Sequence, residues 1–275
     1  MAARELNGAT KAGLLQMPGI PVLLYHGIGH SSNRARFSDE SRYWVSADRF
    51  RLQLDIIRKL GLRIAMLDEL LGDSVEISVP AVAITFDDGL ASNHTAALRV
   101  LQEAGAVAHF FINTKNVGKS GYMDWTQIRE LHCAGMQIGS HGHQHVDHSQ
   151  SAVAALVPQM TRSRQIIEKE LQHPIKWFSA PYGLVSHDLF SAAKLSGFSG
   201  LCTSTCSVAR PGCFRVPRIA IYGHTSTEEF SKLLSRNPWS YLTRKVNAAG
   251  KYLPKQFMLR FNPRALGVNA FQEEI

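Results

Sequence analysis

Eight short apolar and β-branched runs recur along the 275-residue chain: Val22–Tyr25, Arg63–Ala65, Ala81–Phe86, Ala108–Ile112, Met136–Gly139, Lys176–Ser179, Leu201–Thr203 and Val216–Ile221. Amphipathic segments separate most of them. One is predicted to start at Ser46, with Phe50, Leu54 and Ile57 sharing a helix face and Gly61 as its stop. Others are predicted at about Ser92–Ala104, Thr126–Ala134, Ala152–Leu171 and His187–Leu195. This rhythm predicts repeated βα units and a largely parallel sheet. Seven or eight strands in such an order fit an α/β fold of the (β/α) barrel type, incomplete, better than an open sheet with a separate second domain. The expected organisation is an N-terminal segment over 1–20, one domain over 21–235 and a basic C-terminal extension over 236–275, with a strand near Gln256–Phe261.

Composition narrows the function classes. Apolar runs such as Val22–Tyr25 and Ala81–Ile84 fall far short of the roughly 20 residues that cross a bilayer. The N-terminus has no apolar stretch followed by a small-residue cleavage site, so the chain as written reads as cytoplasmic or peripheral to a membrane. Four cysteines are too sparse for a disulfide framework and read as free thiols. The net charge of +8 is lopsided: residues 1–150 carry 14 Lys/Arg against 15 Asp/Glu, whereas residues 151–275 carry 16 against 7. Between Glu229 and Glu273 no acid occurs, while eight Lys/Arg interleave with Trp239, Tyr241, Tyr252, Phe257 and Phe261. Such a stretch suits an anionic glycan or a membrane surface; nucleic acid is not the expected partner.

If the sheet is parallel, loops at the carboxyl ends of the strands gather on one face, where α/β folds bind ligands. The polar oddities of the sequence fall there. AVAITF ends abruptly in Asp87-Asp88-Gly89, and two adjacent carboxylates at the end of a buried strand are costly unless something positive lies beside them. Four of the twelve histidines, His141, His143, His145 and His148, crowd into GSHGHQHVDHS. Imidazole is a common metal ligand, and His141 and His145 are four apart, although Gly139, Ser140 and Gly142 favour a loop over a helix. One carboxylate and two imidazoles make the open site of a hydrolytic metal centre. The other carboxylate then stands free to accept a proton from metal-bound water. The donor set suits zinc, with cobalt, nickel, iron and manganese also compatible.

TFDDG, then SHxxxH after an apolar GxxIG run, then APYG, resembles the polysaccharide deacetylase family (the NodB-homology domain, carbohydrate esterase family 4), over roughly Pro21 to Ile221. The resemblance implies a partial (β/α) barrel that removes acetyl groups from N-acetylated sugars with a divalent metal. It implies Asp87 as general base, Asp88, His141 and His145 as metal ligands, and the backbone N–H of Tyr182 as a donor to the oxyanion. His143 and His148 fall where the family places no ligand.

The departures from the pattern are specific. Many members place an arginine, partner of the base, where this chain has Ser179; Arg218 in RVPRI is the replacement expected here, with Arg215 second. No late Leu-x-x-His segment is present. Instead PVLLYHGI resembles a permuted subgroup typified by poly-β-1,6-N-acetylglucosamine deacetylases, which implies His26 as the acid that protonates the departing amine, with His30 the weaker candidate. Tyr122, Trp125, Trp177 and Phe178 read as core residues before sugar platforms. Other outcomes on the same scaffold are deformylation or deacetylation of a lipid-linked or small amino sugar, or a non-catalytic glycan- or membrane-binding protein.

Overall fold

The computed structural model describes residues 17–29, 40–72, 79–148 and 150–246. His30, the segment Gln256–Phe261 and most of the terminal extensions lie outside them. Eleven strands are described: β1 Val22–Tyr25, β2 Gly27–Ile28, β3 Trp44–Val45, β4 Arg63–Ile64, β5 Ala81–Phe86, β6 His109–Ile112, β7 Gln137–Ser140, β8 Trp177–Ser179, β9 Gly200–Cys202, β10 Arg215–Val216 and β11 Ile219–Ala220. The α-helices are α1 Ala47–Lys59, α2 Leu67–Leu71, α3 Arg99–Glu103, α4 Trp125–Cys133, α5 Val153–Leu171, α6 His187–Leu195 and α7 Thr227–Leu234, followed by a helix at 238–246. Strands β2 and β3 pair with each other, and the remainder form one sheet in the order β10-β9-β8-β7-β6-β5-β1-β11, with β4 beside the start of β5. Every pairing between these strands is parallel, as βα crossovers require.

The two ends of the sheet, β10 and β11, are neighbours in the chain. Only Pro217 and Arg218 separate them, a link that spans at most about 10 Å, so the sheet must curl until its ends nearly meet. The strand expected over Val216–Ile221 is therefore two: its first part pairs with β9, its second with β1. Pro217, which has no N–H to give a ladder, marks the break. The result is an incomplete barrel whose seam is crossed by a two-residue step.

Alternation along β5 shows how the barrel is filled. Val82, Ile84 and Phe86 join the outer cluster against the helices, while Ala81 and Ala83 join the inner cluster with Val22, Phe111, Trp177, Cys202 and Val216. Gly139 in β7 belongs to this interior because a Cβ there would stand 2.7 Å from the Phe111 ring and 2.9 Å from the Trp177 carbonyl. Helix α1 begins where expected, its Ser46 hydroxyl accepting from the Arg49 N–H at 3.3 Å. The helix expected at Ser92–Ala104 instead opens as a wide π-turn over Asn93–Leu98 before becoming α3. Helices α2 and α7 are additional to those expected. All four cysteines are free. Among the described residues no helix is long and apolar enough to cross a membrane.

Candidate active site

The inward row of β5 runs Ala81, Ala83, Thr85 and on to Asp87, passing from small apolar to polar as it reaches the carboxyl end. Asp87 donates its N–H to the Tyr25 carbonyl at 3.0 Å, which ties it to the end of β1, and its side chain is buried. Arg218, 0% exposed at the seam, donates to both its oxygens: Nη1 to Oδ1 at 2.8 Å and Nη2 to Oδ2 at 2.7 Å. The rest of the guanidinium is also engaged, by the Thr203 carbonyl at 3.0 Å, Thr85 Oγ1 at 3.2 Å and Ser179 Oγ at 2.8 Å, above the Phe111 ring. Ser179 in turn donates to Asp87 Oδ2 at 3.0 Å. Burial alone would raise the Asp87 carboxyl; the charge and hydrogen bonds of Arg218 override it and hold the group below its ordinary range. Arg215 plays no part here: it is exposed, near Phe190 and Thr205.

Asp88 turns the other way. Its φ of +74° puts a non-glycine residue in the left-handed region, at a cost of about 1 kcal/mol. That turn separates the two adjacent carboxylates. Asp88 Oδ1 lies 3.2 Å from His141 Nε2 and 3.2 Å from His145 Nε2. The histidines come from the loop after β7, not from a helix. Asn113, buried, braces that loop when its amide nitrogen donates to the His143 carbonyl at 3.2 Å and its oxygen accepts from the His145 N–H at 2.9 Å.

The Ser179 carbonyl lies 2.9 Å from His141 Nδ1, so that nitrogen carries a hydrogen, and Nε2 is left to face Asp88 and, as a metal ligand, would present its lone pair. A lone pair aimed at a carboxylate oxygen needs a proton or a cation between them. The donor chemistry therefore fits a metal, and Asp88, His141 and His145 each offer a ligand atom within 4.8 Å of the others. Burial would lower His145, yet its hydrogen bond to Asp88 raises it; burial would raise Asp88, yet the two histidines hold it well below the carboxylate range. His143 and His148 stand apart from this group, His143 Nδ1 being 2.8 Å from Thr114 Oγ1.

His26 follows β1 at the same end of the barrel. Its backbone carbonyl accepts from Asn93 Nδ2 at 2.7 Å, its ring lies 4.6 Å from that of Tyr43, and its Nδ1 is buried without a partner. Burial lowers its pKa, opposed by the charges of Asp88 and Asp87. On the other flank Tyr182, φ +58°, sets its ring 4.6 Å from that of His145. Gly183 beside it is also left-handed, and a Cβ there would fall 1.7 Å from Ser204 Oγ. Trp177 and Phe178 are core, as read from sequence. Thr85 and Asn93 have no motif to mark them; for Thr85 the period-two count back from Asp87 is the available signal.

Residues 75–201 match the model of the family described as polysaccharide deacetylase. YxkH of Bacillus subtilis, provisionally named a polysaccharide deacetylase, is 24% identical over 207 residues, covering 74% of this chain and 71% of that protein. The peptidoglycan-N-acetylglucosamine deacetylase of Bacillus cereus is 30% identical over 118 residues, covering 42% of this chain and 53% of that relative. Among solved structures, the Streptococcus pyogenes deacetylase PplD in complex with acetate superposes with a TM-score of 0.71 at 22% identity, over 82% of this chain and 100% of that one, a likeness of fold. The matched segment contains both aspartates of β5's tip, both convergent histidines and the Ser179–Tyr182 turn, so that over residues 75–201 this chain is similar to the polysaccharide deacetylase family.

Proposed function

We propose that the protein is a metal-dependent hydrolase that removes N-acetyl groups from the sugars of a polysaccharide or glycoconjugate and releases acetate, its domain spanning residues 21–235. The supporting observation is the opposite fate of two adjacent acids: Asp88 converges with two imidazoles, while Asp87 is gripped from behind by Arg218. A divalent cation, zinc by preference for this nitrogen-rich set, would be held by Asp88, His141 and His145 and would supply Lewis acidity toward the acetyl carbonyl and toward water.

The chain's own residues perform the remainder. Asp87 accepts the proton of the attacking water; Arg218 keeps it ionised and fixes both oxygens, which makes it a weak but always available acceptor. The Tyr182 backbone N–H meets the oxyanion, a role whose loss costs about 3–4 kcal/mol in comparable sites. His26 gives the departing amine its proton. Its lowered pKa leaves the imidazolium a minority at neutral pH, so the rate should rise as the medium becomes mildly acidic. The position of His26 after β1 supports the arrangement of the permuted subgroup. For the basic stretch 236–275 the partner we assign is an anionic surface.

Acetate release from a panel of N-acetylated saccharides, with and without chelator, tests this reading. Metal-dependent acetate is expected. Silence on every saccharide by protein shown to hold metal would contradict it.

A further inference from the structure

The helix 238–246 faces the barrel with its polar residues. Tyr241, 1% exposed, donates its hydroxyl to the Leu233 carbonyl at 2.9 Å, and Arg244 donates to Glu229 Oε1 at 2.8 Å, to Thr225 Oγ1 at 3.2 Å and to the Ala220 carbonyl. These bonds fix which side is inward. On the other side Trp239, Leu242 and Val246 are 74%, 49% and 62% exposed, and their spacing of three, four and seven residues makes one ridge. Single exposed apolar residues need no explanation, but an aligned row of Trp, Leu and Val marks an interaction surface. Lys245 is exposed beside it. In sequence, the stretch from Phe230 to Gln272 carries eight Lys/Arg and no acid.

Charge selects an anionic partner, and the side chains select its kind. Leu242 and Val246 have nothing to offer a hydrated glycan, whereas a Trp–Leu–Val ridge beside a lysine suits the boundary between headgroups and acyl chains of an anionic bilayer. We propose that the helix 238–246 docks this protein on anionic lipid membranes, with Trp239, Leu242 and Val246 entering the interface and the exposed Lys245 beside them meeting lipid phosphates. This surface is independent of the deacetylase reading.

The test is co-sedimentation of the full metal-loaded chain with vesicles of phosphatidylcholine containing roughly one-third phosphatidylglycerol. The protein should partition to these vesicles, less at high salt, and less to phosphatidylcholine alone. Trp239→Ser with Leu242→Ser should weaken partition by about tenfold or more while acetate release from a soluble oligosaccharide is kept. Trp239→Phe should retain partition but lose the vesicle-induced blue shift of tryptophan emission. Unchanged partition of the double variant would overturn the proposal. So would binding to an acidic polysaccharide in place of vesicles, or no partition at all, the result expected if the protein's own C-terminal residues cover the ridge.

Discussion

At the carboxyl end of the barrel, Arg218, Asp87, Ser179, Thr85 and Thr203 lie buried and exchange hydrogen bonds that engage all three guanidinium nitrogens, whereas at the amino end His109 is as deeply buried with no ion pair among the described residues, its ring nitrogens meeting only the Gln137 side chain. His109 is stacked on Phe111, 4.9 Å between ring centres, and Phe111 has Arg218 over its ring, so one aromatic side chain separates the two regions. Both regions hold ionisable groups out of water, yet only the upper one keeps them charged. Burial therefore does not decide ionisation here: partners do. Asp87 stays an anion because Arg218 is aimed at it, while burial pushes the His109 ring down to about 3 and keeps it neutral.

The largest effect should come from removing one member of the upper pair. Arg218→Met leaves Asp87 buried without a counter-charge and should cost about 3–5 kcal/mol in chemical denaturation, with loss of acetate release. Combining it with Asp87→Asn should return most of the stability and none of the activity, because the uncompensated charge is gone but so is the base. If the double variant is no more stable than the single one, the pair is not the electrostatic unit described.

In the lower region the expected effect has the opposite sign. The folded pKa of His109 lies below the ordinary value near 6.5, so on acidification the unfolded chain takes up this proton first. The stability contribution is complete above about 6.5 and is lost as pH falls toward about 3, with a slope of about 1.4 kcal/mol per pH unit. His109→Phe should abolish that component, so that the variant gains about 3 kcal/mol on the parent between pH 7 and pH 4.5. Parallel stability profiles for parent and variant would show that the ring is not held neutral.

Smallest is the effect of Ser179. Ser179→Ala deletes a donor to Asp87 Oδ2 and an acceptor for Arg218 Nη2, each of which keeps other partners, so about 1–2 kcal/mol and a partial loss of turnover are expected. A loss as large as that of Arg218→Met would mean that the hydroxyl, not the guanidinium, positions the base.

Much of this was legible in the sequence because it is written in short-range patterns. The apolar alternation of Ala81–Phe86 fixes which side of β5 faces inward, and the stop at Asp87-Asp88 marks the strand's end. The histidine cluster and the APYG turn are equally local. What could not be read depends on distant partners or backbone geometry. Nothing local says that Asp88 takes a positive φ and so parts from Asp87, or that Ser179 bonds both Asp87 and Arg218. The split of Val216–Ile221 follows from barrel closure, a property of the whole sheet. Helix α7 carried local signals, a Ser226 cap and Phe230, Leu233 and Leu234 on one face; the five-residue α2 is too short for periodicity to show.

Asp88, His141 and His145 are the proposed holders of a cation of which Asp87 binds none. Titration of zinc into metal-stripped protein, at a temperature where parent and variants are all folded, tests this most directly. Asp88→Ala should lose high-affinity binding, and Asp87→Asn should keep one equivalent bound while acetate release disappears. Equal zinc affinity in the two variants would contradict the assignment.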